Sequence, residues 1–400
     1  MNIRKICPRE YKQTREIFSR VFECPDILDN QKMQLDYTDK HYEDSRKTHF
    51  WTERIAAFDE EEHMMGFLAN IPFEIYFDKH ILKMGGIADV ACLPEHRNKG
   101  VIANCFRLLL ETLYKEGYAM SYLYPFSDKF YRKYGYENCL QYRKYDIDFR
   151  CLKKIDVDGV VVFVSEKESL AKIVQEVKSK RKKYNLNYIP MPVDDILYVE
   201  GIECKNTYDY AYKNHEGVYK GYLRFHREAK TMVVDQFVFS DEEGVRGLLY
   251  IIQACATTYL KLHLEVPECF HIDSYLEECN CYDYISQVHF RGMLRIINVK
   301  KVLESAEYMG SGNVSIRVSD TFIEENNHTF SVSFEGGSCI NIEVIETDAD
   351  IELTIQQFSM LIIGRYDLYD IARLSYIDKD KLDIIRQVFY KKPLLITEYF

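Results

Sequence analysis

The sequence predicts a multidomain chain of α/β and α+β units, and three observations carry that expectation. With 400 residues, 47% of them hydrophobic, the chain exceeds what a single core usually organises. Across Leu93–Gly100 the hydrophobic pattern changes from strand-like to helix-like, which marks a strand-to-helix joint. The pattern of runs then starts again near residue 151, and once more near Arg291.

In chain order, Tyr11, Ile17, Phe18, Val21 and Phe22 recur at three- and four-residue spacings, so an amphipathic helix is expected over 10–22. Three strand-like runs follow, Glu53–Phe58, Met64–Phe77 and Ile81–Leu93. They are separated by the acidic stretch 59–62 and the Asp78-Lys79-His80 turn, the pattern of an antiparallel meander. Pro94 has no amide to donate and ends the third run. Ile102, Phe106, Leu109, Leu110, Leu113 and Tyr114 form a helical apolar face that stops at Gly117, and 118–124 reads as a strand closed by Pro125. In the second unit, 219–225 and 231–239 resemble a hairpin followed by a helix over 245–260, a weak echo of the first. The third unit has strand-like 314–318, 329–334 and 338–345, helices around 355–363 and 368–374, and a last strand-like run over 393–399.

Composition narrows the function. Charged Arg9, Glu10 and Lys12 follow Met1–Cys7 at once, so no secretory apolar region is expected. The most apolar stretch, 248–264, is interrupted by Gln253, Thr257, Thr258, Lys261 and His263, which argues against a membrane partner and for a cytoplasmic protein. Twelve scattered cysteines suit reduced thiols, and Cys279-Asn280-Cys281 has neither a second cluster nor a spaced His, so no metal is expected. A net charge of -11 argues against nucleic acid and fits equally well an acidic field that attracts cations such as polyamines, lysine side chains and aminosugars, or acidity that only keeps the protein soluble.

The chemistry-bearing segment is Val90-Ala91-Cys92-Leu93-Pro94-Glu95-His96-Arg97-Asn98-Lys99-Gly100-Val101-Ile102. A strand, a tight basic turn and a helix start aim backbone N–H groups and the positive end of a helix dipole at one spot, and Gly100 lets the backbone approach an anion. Arg97 and Lys99 at a helix start oppose the dipole and call for an anionic compensator, such as a pyrophosphate. Neither the G-x-x-x-x-G-K nor the G-x-G-x-x-G spacing is present.

These residues resemble the GNAT acetyltransferases, whose R/Q-x-x-G-x-G/A signature is matched by Arg97-x-x-Gly100. Ile102 stands where the generic signature has Gly or Ala, which is similar to the enhanced intracellular survival (Eis) acetyltransferases. Phe130-Tyr131-Arg132-Lys133-Tyr134-Gly135-Tyr136-Glu137 looks like the F-Y-x-x-x-G-[FY] element of that superfamily. The length, the run Arg295-Ile296-Ile297-Asn298-Val299 and the aromatic C-terminus point to Eis.

The resemblance implies two GNAT-type domains, 1–150 and a degenerate 151–290, followed by a sterol-carrier-protein-like α+β domain over 291–400. It also implies acetyl-CoA as cosubstrate and a homo-oligomer, trimer or hexamer. It places the pantetheine arm and thioester oxygen against the backbone of Val90, Ala91 and Cys92, and the phosphates at Arg97, Asn98, Lys99, Gly100, Val101 and Ile102. Tyr131 would be the acid that protonates the leaving thiolate, with Tyr134 and Tyr136 as local alternatives. The α-carboxylate of Phe400 would be the base, and Glu398 and Asp26 would hold a second ammonium of the substrate. Where the first domain reads His-Arg-Asn-Lys-Gly, the second reads Ser240-Asp241-Glu242-Glu243-Gly244, which would repel phosphate. Transfer of acetyl to amines of an aminoglycoside-like polycation is the expected function. Protein-lysine or polyamine acetylation, and a non-catalytic CoA- or lipid-binding scaffold, are the alternatives.

Overall fold

The computed structural model describes residues 1–25, 53–181, 184–189, 207–278, 284–371 and 376–396. Its elements begin with β1 (Asn2–Lys5), α1 (Tyr11–Val21), β2 (Glu53–Phe58), β3 (Met64–Phe77), β4 (His80–Cys92), α2 (Val101–Lys115), β5 (Met120–Leu123) and α3 (Asp128–Arg132). They continue with β6 (Glu137–Asp148), β7 (Val160–Phe163), α4 (Lys167–Ser179), β8 (Thr207–Lys213), β9 (Tyr219–Glu228), β10 (Thr231–Phe239), α5 (Glu242–Ala254), β11 (Lys261–Pro267) and β12 (Tyr284–Ile296). The last part holds α6 (Val299–Ser305), β13 (Gly312–Ser319), β14 (Thr329–Glu335), β15 (Ser338–Ile345), β16 (Ile351–Thr354), α7 (Ile355–Ile362), α8 (Leu368–Ile371), β17 (Tyr376–Ile377) and α9 (Leu382–Val388).

The chain forms two compact units. One joins Met1–Cys139 to Gly292–Lys392; the other comprises Leu140–Arg291 and the tail from Pro393. The chain passes from one to the other inside β6 and β12. In the first unit, β1, β2, β3 and β4 are successive antiparallel neighbours, β5 lies parallel to β4, and the end of β12 pairs antiparallel with β5. Helix α2 covers this sheet because Val101, Cys105, Phe106, Leu109, Leu110 and Leu113 share one buried face. Gly117 ends it in the left-handed conformation (φ 76°), and the Tyr118 amide donates to the Leu113 carbonyl at 3.0 Å, a Schellman-type stop. A second, five-stranded sheet in this unit has the order β15-β14-β13-β16-β17. The core unites both segments, since Phe106, Leu109 and Tyr131 cluster with Met293, Ile297 and Ile323.

The second unit repeats the first unit's order of hairpin, helix and parallel strand. Strands β9 and β10 are antiparallel, α5 follows, and β11 returns parallel to β10 from Thr231↔Lys261 to Val234↔Leu264. Strand β6 pairs antiparallel with β11. Helix α5 ends at Ala254, short of the 260 expected from its apolar pattern, and Tyr259 joins the core from the turn beyond it. The run at 393–399 does not extend the third-segment sheet over its described part. Leu394 instead forms a parallel bridge with Asn185.

Candidate active site

The pairing of β3 with β4 slips at Asp89, so that Phe67 faces Ala91 while Ala69 faces Ala88, and Asp89 takes a φ of 53°. This is a β-bulge, a device that re-aims a strand. On its other edge β4 runs parallel to β5 only from Met84↔Met120 to Ile87↔Leu123. Among the described residues no strand pairs with Ala88–Cys92 on that side. The Leu93 amide donates to the Met65 carbonyl at 3.0 Å, so strand alternation turns the Cys92 amide toward the open edge. Backbone groups of the expected Val90–Cys92 segment therefore face a gap in the sheet.

The gap ends at a basic turn. After the single 3₁₀ turn Pro94–His96, the exposed residues Arg97, Asn98, Lys99 and Gly100 lead into α2, with left-handed φ at Asn98 (62°) and Gly100 (77°). Gly100 is the N-cap and supplies no side chain, and the first turn of α2, with Val101 and Ile102, holds no acidic residue. Among the described residues neither Arg97 nor Lys99 meets a carboxylate. Arg97 Nε donates to the Cys92 carbonyl at 3.4 Å, which ties the turn to the open strand. Uncapped N–H groups and two uncompensated cations at a helix start suit a pyrophosphate. Burial pushes the Cys92 thiol up, with only partial relief from Arg97, and pushes Cys105 up to about 12. Neither thiol is a thiolate near neutral pH, so neither suits nucleophilic work.

Tyr131 lies on α3, whose Ser127 cap accepts from the Phe130 amide at 3.4 Å. Its ring sits among Phe106, Phe126, Phe130 and Tyr136, with centroids 5.1–6.4 Å away. Burial, reinforced by Tyr136 and Tyr134, drives its hydroxyl pKa far upward, so it stays protonated. That hydroxyl bonds to none of the described residues. Tyr136 differs, because its hydroxyl lies 2.7 Å from Ser121 Oγ while Ser121 donates to the Gly85 carbonyl at 2.9 Å. The Tyr136 proton is thus spent on Ser121, and burial holds that phenol up at about 12. Tyr134 stacks on Phe106 at 4.2 Å.

Asp26, Glu398 and Phe400 lie outside the described residues. The tail is described as far as Ile396 and is docked there. Leu395 and Ile396 are buried, the Asn185 amide donates to the Pro393 carbonyl at 2.9 Å, the Leu395 amide to the Asn185 carbonyl at 3.0 Å, and the Tyr142 hydroxyl to the Ile396 carbonyl.

Sequence reasoning used Arg295 only as part of a resemblance and passed over its role and its partner Asp320 in holding the tyrosine turn. Arg295 and Asp320 form a fully buried ion pair, and Arg295 Nη1 donates to the Tyr134 carbonyl at 2.6 Å. A usable signal was present, because a single Arg in the apolar run Met293-Leu294-Arg295-Ile296-Ile297 must find a buried partner.

The second unit has a similar joint with different chemistry. Strand β10 also slips against β9, between Val234 and Gln236, and runs on to Phe239 beyond its pairing with β11. There Asp241 caps α5 by accepting from the Gly244 amide at 3.1 Å and pairs with Lys220 at 2.7 Å. Burial alone would raise the Asp241 carboxyl, but Lys220 and the Gly244 amide outweigh it and hold the group below the usual carboxylate range.

Residues 2–139 match the acetyltransferase (GNAT) domain family, and residues 299–395 match the sterol carrier protein domain family. Several solved structures share the fold of the whole chain. A probable N-acyltransferase from Enterococcus faecalis is 19% identical with a TM-score of 0.84, covering 100% of this chain and 99% of its own. A GCN5-related N-acetyltransferase from Anabaena variabilis is 18% identical with a TM-score of 0.80, covering all of both chains. Eis1 from Mycobacterium abscessus is 16% identical with a TM-score of 0.78, covering 100% and 99%. No curated protein sequence matches this chain. Among the described residues no helix is long and apolar enough to cross a membrane, and no cluster of three His, Cys, Asp or Glu side chains is placed to hold a metal ion.

Proposed function

We propose that this chain, a GNAT-domain acetyltransferase joined to a sterol carrier protein domain on the whole-chain fold of Eis1, moves acetyl from acetyl-CoA to an amine of a small polycation of the aminoglycoside class. The observation that carries the reading is the coincidence, in the first unit, of the open β4 edge with the uncompensated basic turn Arg97–Gly100. Acetyl-CoA supplies the activated acyl carbon. Arg97 and Lys99 attract its phosphates, and the α2 amides bind them. The outward amide of Cys92, on the segment shared with Val90 and Ala91, polarises the thioester oxygen. As the amine nitrogen bonds to the acyl carbon and the C–S bond breaks, Tyr131, kept protonated by burial, donates its proton to the departing sulfur, and the proton that the nitrogen sheds as the amide forms restores the phenol.

The amine must lose one proton before it attacks. The α-carboxylate of Phe400 takes it, with Asp26 and Glu398 holding a second ammonium of the acceptor. The docking of 393–396, four residues before Phe400, supports this reading. The net charge of -11 favours a cationic acceptor, and polyamines or protein lysines are the second reading on that same observation. We further propose that the sequence divides functionally at 150 and 290, with 151–290 a degenerate GNAT-like domain that holds no CoA, and that the chain works as a cytoplasmic homo-oligomer.

The test is release of CoA thiol with an aminoglycoside, a polyamine and a lysine peptide, using chains with a native C-terminus and with a short C-terminal extension. Turnover is expected with the aminoglycoside and only with the native terminus. Acetyl-CoA binding without thiol release on any amine would favour the scaffold. Full activity of the extended chain would eliminate Phe400 as the base.

A further inference from the structure

Helix α3 has five residues, too few to hold its own geometry, yet it carries Tyr131. The turn after it is fastened from the C-terminal segment of the same unit. Arg295 Nη1 donates to the Tyr134 carbonyl at 2.6 Å, and Arg295 Nη2 pairs with Asp320, both side chains being fully buried. Asp320 is itself fixed, one oxygen accepting from the Phe322 amide at 2.9 Å and the other from Asn326 Nδ2 at 2.9 Å. Gln356, at the start of α7, donates from Nε2 to the Arg132 carbonyl at 3.1 Å. Gly135, at φ 85°, completes the contact, because a Cβ there would stand 2.8 Å from Arg295 Nη1 and 3.0 Å from Ile355 Cγ2.

A buried ion pair is a poor way to gain stability, since apolar residues of similar volume often do as well. Its merit is directional. The guanidinium offers several donors in a rigid fork, one toward Asp320 and one toward the carbonyl three residues beyond Tyr131. We infer that Arg295, held by Asp320 and seconded by Gln356, is a positioning residue that sets the place of the Tyr131 hydroxyl. The segment Gly292–Lys392 thereby has a part in acetyl transfer. The inference rests on the reading of Tyr131 as the acid.

The experiment compares Arg295→Lys, Gln356→Ala and Tyr131→Phe, singly and combined, in steady-state acetyl transfer by the full chain, with circular dichroism melts to confirm folding. Arg295→Lys keeps the charge but loses the fork. It is expected to lower kcat on the order of tenfold with little change in acetyl-CoA KM, as a small misplacement of a reacting group does. Gln356→Ala removes one hydrogen bond from a half-buried side chain and is expected to lower kcat roughly fivefold. Combined with Tyr131→Phe, neither should lower kcat further, because there is no longer an acid to misplace. If Arg295→Lys does not fold, Gln356→Ala decides by the same two criteria. Wild-type kcat in the folded positioning variants beside a crippled Tyr131→Phe, or losses that multiply with Tyr131→Phe, would overturn the positioning role. A fully active Tyr131→Phe would overturn the acid reading, and the positioning role with it.

Discussion

The two strand-to-helix joints of this chain share a backbone plan and differ in charge. After β4 the turn presents Arg97 and Lys99, no side-chain cap, and a first helical turn without carboxylates. After β10 the equivalent turn presents Asp241, which fills the helix N-terminus with its own carboxylate, next to Glu242 and Glu243. Both strands slip at a bulge and both outrun their parallel partner. The opening in the sheet is therefore a property of the fold, whereas the charge at each joint resides in five side chains, Arg97 and Lys99 in the first and Asp241, Glu242 and Glu243 in the second. A helix N-terminus left uncapped can accept a phosphate; one already capped by Asp cannot.

The largest expected effect comes from making the first joint resemble the second. Arg97→Glu with Lys99→Glu replaces two compensating cations with two repelling anions. Acetyl-CoA KM should rise on the order of a hundredfold or more, taking charge-assisted hydrogen bonds at about 1.5–3 kcal/mol each. Unchanged acetyl-CoA affinity in the folded double variant would remove this turn as the binding site and erase the contrast.

Next in size is Tyr131→Phe, which leaves the joint intact and tests what is built beside it. A loss in kcat of roughly a hundredfold with acetyl-CoA KM nearly constant is expected for a group that acts only as the thiolate develops. The same residue sets a pH signature. Its folded pKa is raised, so the required protonated phenol persists as pH rises, and kcat should show no alkaline decline below about pH 10, the ordinary phenol value. A kcat that falls between pH 8 and 9, roughly one unit or more below that value, would assign the proton to a different group.

The smallest effect belongs to the second joint. Asp241→Ala should cost about 1 kcal/mol of stability from the lost cap, seen as a modest fall in Tm, and leave acetyl-CoA KM as it was. Calorimetry on the parent chain should find one CoA per chain. Two equivalent sites would show that the acidic joint binds after all and that charge does not distinguish the halves.

Much of the fold was legible because it is written in short-range pattern. Met64–Phe77 and Ser338–Ile345 alternate or run apolar between turn residues, and the strands span those same residues. The apolar face from Val101 to Leu113 needs only its own spacing to be recognised as a helix. Legible too was the run 90–102, since a strand end, a basic turn and a helix start are contiguous. The right end of α5 was not legible, because apolar spacing continues past Ala254 while the backbone turns away there to let Tyr259 reach the core.

By itself the sequence determined the meander β2 to β4, helix α2, the β9–β10 hairpin, the two joints and their opposite charges, all properties of neighbouring residues; long strands such as β6 and β12 were not among the expected runs. Tertiary structure alone decided that the first and third segments form one compact unit, and that Arg295 meets Asp320 behind the tyrosine turn. Only tertiary structure separates the three nearby tyrosines, by giving Tyr136 a partner in Ser121 and Tyr134 a stacking ring in Phe106. The reason is that a buried polar group requires a partner but does not name it. Arg295 announces that need in the sequence, and which of many distant carboxylates answers it depends on how the whole core closes.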